Sequence, residues 1–125
     1  MPRKPIPCQE IAQPVGPFSP AVRAGEFVFL SGQVGQDPAT GKLITGDVSA
    51  QAEQIFSNLG AVLRAAGKTF ADVARVGVYL TDMADFPALN TIYGRHFEAP
   101  YPARTTIAVA ALPLGASVEI DVVAR

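Results

Sequence analysis

Arg104 and Glu119 are the two side chains whose type and setting best suit them to chemistry. Arg104 opens an apolar stretch, RTTIAVAA (Arg104–Ala111), directly after the Pro102-Ala103 bend. A guanidinium at the end of an element offers a planar fork of donors in the kind of place where sites are built. Glu119 stands between Val118 and Ile120 in SVEIDVVA (Ser117–Ala124). A carboxylate inside such an apolar run needs a partner or a task, because burying an unpaired charge is costly. Two readings follow. In one, Arg104 and Glu119 pair across neighbouring strands or stay as solvated charges. In the other, the arginine grips a small carboxylate and the glutamate orients a water molecule.

The other reactive side chains offer less. Cys8 is the only cysteine, so no internal disulfide can form, and its Pro-rich setting beside Arg3 and Lys4 suits an inert thiol. His96 is the only histidine and reads as a structural residue beside Phe97 on a helix. One Cys and one His cannot make a multi-ligand zinc site, so no metal is expected. Ten Lys plus Arg against eleven Asp plus Glu give a net charge of −1. That balance supplies no track for nucleic acid and no polybasic membrane anchor. No apolar run approaches the roughly 20 residues of a membrane helix, and MPRKPIP lacks the apolar core of a secretory signal. The expected compartment is the cytoplasm.

The elements that position these residues follow from periodicity. At 125 residues, with 49% hydrophobic and 17% charged positions, the chain reads as one domain over 1–125. Ala21–Ala24, a Gly25-Glu26 turn and Phe27–Gln33 form a hairpin pattern, followed by a polar loop over Asp37–Gly46. Ala52, Ile55, Phe56, Leu59, Val62, Leu63 and Ala66 recur at helical spacing, which predicts a helix over Val48–Ala66 capped by Asp47 or Ser49 and closed by Gly67. Val73–Thr81 reads as a strand. A second helix carries Pro87 in its first turn and Phe86, Leu89, Tyr93 and Phe97 on one face, until Pro100 and Pro102 stop it. Arg104–Ala111 and Ser117–Ala124, joined by LPLGA, form an expected antiparallel hairpin. The order β-β-α-β-α-β-β gives an α+β fold, one sheet of five or six strands backed by two helices.

Two helices cover only one sheet face, yet the strands carry few charges on either phase. In Val73–Thr81 the phase Ala74, Val76, Val78, Leu80 is apolar, while Val73, Arg75, Gly77, Tyr79 is mixed. In Arg104–Ala111 one phase is Thr105, Ile107, Val109, Ala111, and the other, Arg104, Thr106, Ala108, Ala110, is mostly small and uncharged. A homo-oligomer that covers the second face accounts for this pattern; an ordinary exposed face of Ala and Thr is the other account.

Five blocks in order resemble the RidA (YjgF) reactive-intermediate enamine/imine deaminase family. They are GPFSPAV (Gly16–Val22), FVFLSGQVGQDPATG (Phe27–Gly41), QAEQIFSNLGAVLRAAG (Gln51–Gly67), VARVGVYLTDMADFPALNTIYGRHF (Val73–Phe97) and PARTTIAVAALPLGASVEIDVVA (Pro102–Ala124). The resemblance implies a chorismate-mutase-like fold and a homotrimer whose sheets line an internal barrel, with three clefts between subunits. It implies that Arg104 binds a substrate carboxylate and that Glu119 positions or activates water. Ser31, Gly32, Asn90 and Thr106 would line the cleft, Thr106 standing where many members have cysteine. Phe18 departs from the family's G-P-Y-S-Q block: the tyrosine hydroxyl is missing and Pro20 replaces glutamine, so the aromatic wall remains without its polar tip.

The implied reaction is hydrolysis of a 2-imino acid to a 2-keto acid and ammonia, with no metal or organic cofactor, because an imine is already electrophilic. Loss of the hydroxyl at Phe18 favours larger apolar substrates. The alternative is a non-catalytic module that holds a small keto-acid or amino-acid-like carboxylate in the same cleft. An endoribonuclease, a label sometimes attached to this family, fits poorly with one histidine and a charge of −1.

Overall fold

Asp47 starts the first helix. Its carboxylate accepts a hydrogen bond from Ala50 N at 3.0 Å, and α1 runs over Val48–Ala65. Of the two caps the sequence allowed, the aspartate takes the role. Gly67 follows at φ +75°, a left-handed turn that glycine adopts without steric cost. Ala52, Ile55, Phe56, Leu59, Val62 and Leu63 form the buried stripe of this helix. The fold is that of a computed structural model and is described for residues 2–125.

The stripe packs on a six-stranded sheet of β1 (Lys4–Ile6), β2 (Ala21–Ala24), β3 (Phe27–Gln33), β4 (Val73–Leu80), β5 (Ala103–Ala108) and β6 (Val118–Ala124), in the order β1-β2-β3-β6-β4-β5. The short α2 (Phe86–Tyr93) lies beside α1. The expected sheet backed by two helices is therefore present, with β1 added to the five strands the periodicity marked. Pro5 hid that strand; it is tolerated there because β1 is an edge. The polar loop after β3 is closed by a bridge from Gln36 to Leu43 and by backbone hydrogen bonds such as Asp37 N to Lys42 O and Ile44 N to Gly35 O.

Three local expectations are corrected. The last two strands do not form a hairpin: β5 pairs in parallel with β4 at the sheet edge, and β6 inserts antiparallel between β3 and β4. The connection through α2 permits the parallel pair. The alternation in β6, which buries Val118, Ile120, Val122 and Ala124, suits a central position. Second, β4 carries a register shift between Val73 and Arg75, so Val73 turns inward and Ala74 outward. Third, α2 ends at Tyr93, before the prolines. His96 and Phe97 lie in the following turn, where the His96 ring stacks on Phe56 at 4.3 Å between centroids.

Val28, Leu30, Val76, Val78, Leu80, Ile120 and Val122 complete the core under the helices. Two buried amides lock loops to it. Gln51 accepts from Ser117 N at 2.8 Å, and Asn58 donates to Gln36 O at 3.0 Å. The opposite face of the sheet has no covering helix or strand among the described residues. Phe29 (43% exposed) and Ile107 (45%) lie there beside Tyr79 and Asp121, whose side chains share a 2.9 Å hydrogen bond. Among the described residues, no helix is long and apolar enough to cross a membrane.

Candidate functional site

Arg104 leaves edge strand β5 on the helix-covered face. Its guanidinium carbon lies 4.5 Å from the ring centroid of Tyr93 and 5.4 Å from that of Phe86, both on α2. Two aromatic faces thus hold the planar cation by its π side. Among the described residues, no carboxylate lies within ion-pairing distance of Arg104. A cavity of about 350 Å³ opens beside it, lined by Asn90, Tyr93, Gly94, Tyr101, Pro102 and Arg104. The Tyr93 hydroxyl and Thr106 Oγ1 are buried without a hydrogen-bond partner among the described residues. Burial raises the Tyr93 pKa, while the Arg104 charge opposes the rise.

Glu119 projects from β6 to the other face, as its flanking residues Val118 and Ile120 are buried beneath the helices. It meets Gly32 on β3. A Cβ at position 32 would lie 2.9 Å from Glu119 Cδ, so glycine makes room for the carboxylate. A second cavity of about 500 Å³ opens here, with Gly32 and Glu119 at one side and Phe18, Pro20 and Leu114 among its walls. Burial, and then the negative charge of Asp121, push the Glu119 carboxyl above its usual range. A carboxyl so placed holds a proton more readily than an exposed one, which suits transfer in both directions.

The folding of each half is local. Gln51 fixes Ser117 just before Glu119, and Asn58 fixes Gln36 on the cavity wall. Ser31 Oγ donates to Ser19 O at 2.6 Å and Ser31 N to Pro20 O at 3.0 Å, tethering the segment that carries Phe18. Ser31 and Thr106 are not among the residues lining either cavity. Asn90 joins Arg104; Phe18 and Gly32 join Glu119.

One expectation fails within the chain. Arg104 and Glu119 are not cross-strand neighbours, because β4 lies between their strands and they point to opposite faces. Sequence reasoning also missed Tyr93 and Phe86 as the cushion of Arg104. Their seven-residue spacing on α2 was read as packing alone. Leu114 reads from sequence only as part of the LPLGA turn. His96 lies outside both cavities, in a third of about 360 Å³ behind α2.

Comparison with known proteins gives consistent matches. A sequence model of the family described as Endoribonuclease L-PSP matches residues 9–125. Protein DfrA of Myxococcus xanthus is 48% identical over 126 residues, 99% of this chain and 96% of that protein. The 2-iminobutanoate/2-iminopropanoate deaminase of Dermatophagoides farinae is 43% identical over 109 residues, 87% of this chain and 85% of its own length. The crystal structure of E. coli TdcF with bound serine superposes with a TM-score of 0.90 at 36% identity, covering 97% of each chain.

Proposed function

Because the chain belongs to the Endoribonuclease L-PSP family, the RidA (YjgF) family of the sequence resemblance, we propose that it hydrolyses 2-imino acids, tautomers of 2-enamines, to 2-keto acids and ammonia. Relatives named for that reaction support the reading. The observation that carries it is the division of chemistry between the two cavities: an unpaired cation with a carboxylate-shaped fork in one, and a carboxyl with a raised pKa in the other.

In this reading Arg104 takes the substrate carboxylate in a bidentate pair and fixes the imine carbon in place. Glu119 orients a water. As the water oxygen bonds to that carbon, the C=N electron pair moves to nitrogen. Glu119 carries one proton from the added water to the nitrogen, giving a carbinolamine; the hydroxyl proton follows by the same route as the C=O bond forms and the C–N bond breaks, so that ammonia leaves a keto acid behind. Nothing in these steps calls on a metal or an organic cofactor.

Since the two halves face opposite ways in one chain, the working cleft forms between subunits of a homotrimer. The Arg104 edge of one copy meets the Glu119 face of its neighbour, and the uncovered sheet face turns inward. Cytoplasm is the compartment that goes with this reading. The family's endoribonuclease name fits the chain less well. His96, stacked on Phe56, lines neither cavity, and a net charge of −1 offers no phosphate track.

A second reading, a non-catalytic holder of amino-acid-like carboxylates, is favoured by Phe18, whose ring brings no hydroxyl to the reacting end, and by the serine in the E. coli relative. An amino-acid oxidase coupled to keto-acid release separates the two. Acceleration by the purified protein supports hydrolysis; keto-acid binding without acceleration supports the holder.

A further inference from the structure

The loop before Glu119 contains a residue in a costly conformation. Leu114, at φ 60° and ψ 16°, is the non-glycine residue with positive φ among those described, and Gly115 follows at φ 70°. An L-residue with a branched side chain adopts this region only when something holds it there. Core packing does not: Leu114 is 57% exposed. Its side chain instead lines the cavity that holds Glu119, together with Phe18 (56% exposed) and Val15 (94%). Within a single chain, three large apolar groups thus stay uncovered in the lining of one cavity, next to its single ionisable group. Isolated exposed apolar residues are ordinary; a ring of them around a carboxyl is a binding surface.

We propose that Leu114, facing Phe18, forms a side-chain subsite that makes this protein selective for 2-imino acids with bulky apolar side chains, branched aliphatic or aromatic. The subsite rests on the hydrolytic reading above and adds the substrate class to it. Water attack at Glu119 places the imine carbon near the cavity floor. With the carboxylate turned toward an Arg104 fork, the remaining substituent on that carbon points out between Leu114 and Phe18. An apolar substituent there releases the water that covers both residues, worth about fourfold in affinity for each methylene removed from solvent. A polar substituent gains nothing from either wall.

Leu114→Gly tests this cleanly, because it removes the side chain and relieves the backbone at once. Two ratios are measured on the full-length protein: affinity for 4-methyl-2-oxopentanoate against pyruvate by calorimetric titration, and kcat/KM for leucine-derived against alanine-derived imine. Both ratios are expected to favour the larger compound by about tenfold in the parent, on the scale of a partly shielded isobutyl group. In Leu114→Gly both should fall by roughly threefold or more with the melting temperature unchanged or raised, and Leu114→Met should retain them. Unchanged ratios in Leu114→Gly overturn the subsite, as does loss of the oligomeric mass, which would make Leu114 a subunit contact. The two readings fail separately. Keto-acid ratios that depend on Leu114 without any turnover keep the subsite and remove hydrolysis. Turnover with ratios indifferent to Leu114 does the reverse.

Discussion

Arg104 and Glu119 point to opposite faces of one sheet, with strand β4 between the strands that carry them. Two strand spacings separate them by about 10 Å laterally, before the thickness of the sheet is added. No small substrate reaches both from within one chain. Each half is chemically unfinished: among the described residues the arginine, cushioned by Tyr93 and Phe86, meets no carboxylate, and the glutamate, beside Gly32 and Asp121, meets no cation. The halves are complementary, and in the proposed trimer a neighbouring copy would bring them together.

Arg104→Ala is expected to lower kcat/KM for imine hydrolysis by roughly a hundredfold or more, since a bidentate charge-assisted pair is lost. The fold should survive, because the guanidinium rests on the outer side of the α2 aromatics and little core moves. Arg104→Lys should recover only part of the activity, as a point charge cannot hold a planar carboxylate. Steady-state kinetics and a thermal melt of each variant check both statements. Wild-type kinetics in Arg104→Ala would remove the assignment.

The raised pKa of Glu119 gives a pH signature. A carboxylate must be ionised to take a proton from water, so kcat/KM should fall on the acid side at a pH above the ordinary carboxylate range. The Asp121 charge contributes to that rise, so Asp121→Asn should move the acid limb to lower pH while its side-chain oxygen still accepts from Tyr79. The folded state holds the Glu119 proton more tightly than the unfolded chain. The resulting stability is present below the unfolded pKa and lost as pH rises through the folded one. A limb that stays in place in Asp121→Asn would show that another group controls it.

Gln51 is the buried joint between α1 and the strand that carries Glu119. Gln51→Ala leaves Ser117 N without its partner and should cost about 1–3 kcal/mol in stability. Because Ser117 leads directly into β6, kcat should also fall while affinity for a keto acid through Arg104 changes less. Denaturant unfolding and paired kinetic and binding measurements test this. Full stability in Gln51→Ala would mean that water replaces the amide.

The legible parts of this chain were those written in short-range periodicity. The apolar stripe from Ala52 to Leu63, the Asp47 cap, the Gly25-Glu26 turn and Gly67 each state their structure within a few residues. Strand order is set by which chain segments meet, and proximity in sequence misleads there. Ser117–Ala124 follows Arg104–Ala111 closely, yet its alternation fits the middle of the sheet and the helix between β4 and β5 pairs those two in parallel. Arg104 and Glu119 stood out by their settings, a fork at an element end and a charge in an apolar strand, and each lines a cavity. Their opposed directions were not legible, since facing depends on register. The role of Leu114 was hidden because a left-handed leucine has no sequence mark beyond the glycine after it.

Mixed oligomers test the central claim most directly. Arg104→Ala and Glu119→Gln subunits, each nearly inactive alone, are unfolded together in equal amounts and refolded. Native mass spectrometry confirms trimers that contain both. If each cleft takes Arg104 from one subunit and Glu119 from the next, about one quarter of the clefts in a random mixture regain both residues. Imine hydrolysis should then return to about that fraction of the parent rate. Mixed trimers no more active than the two variants measured separately would contradict a cleft shared between subunits.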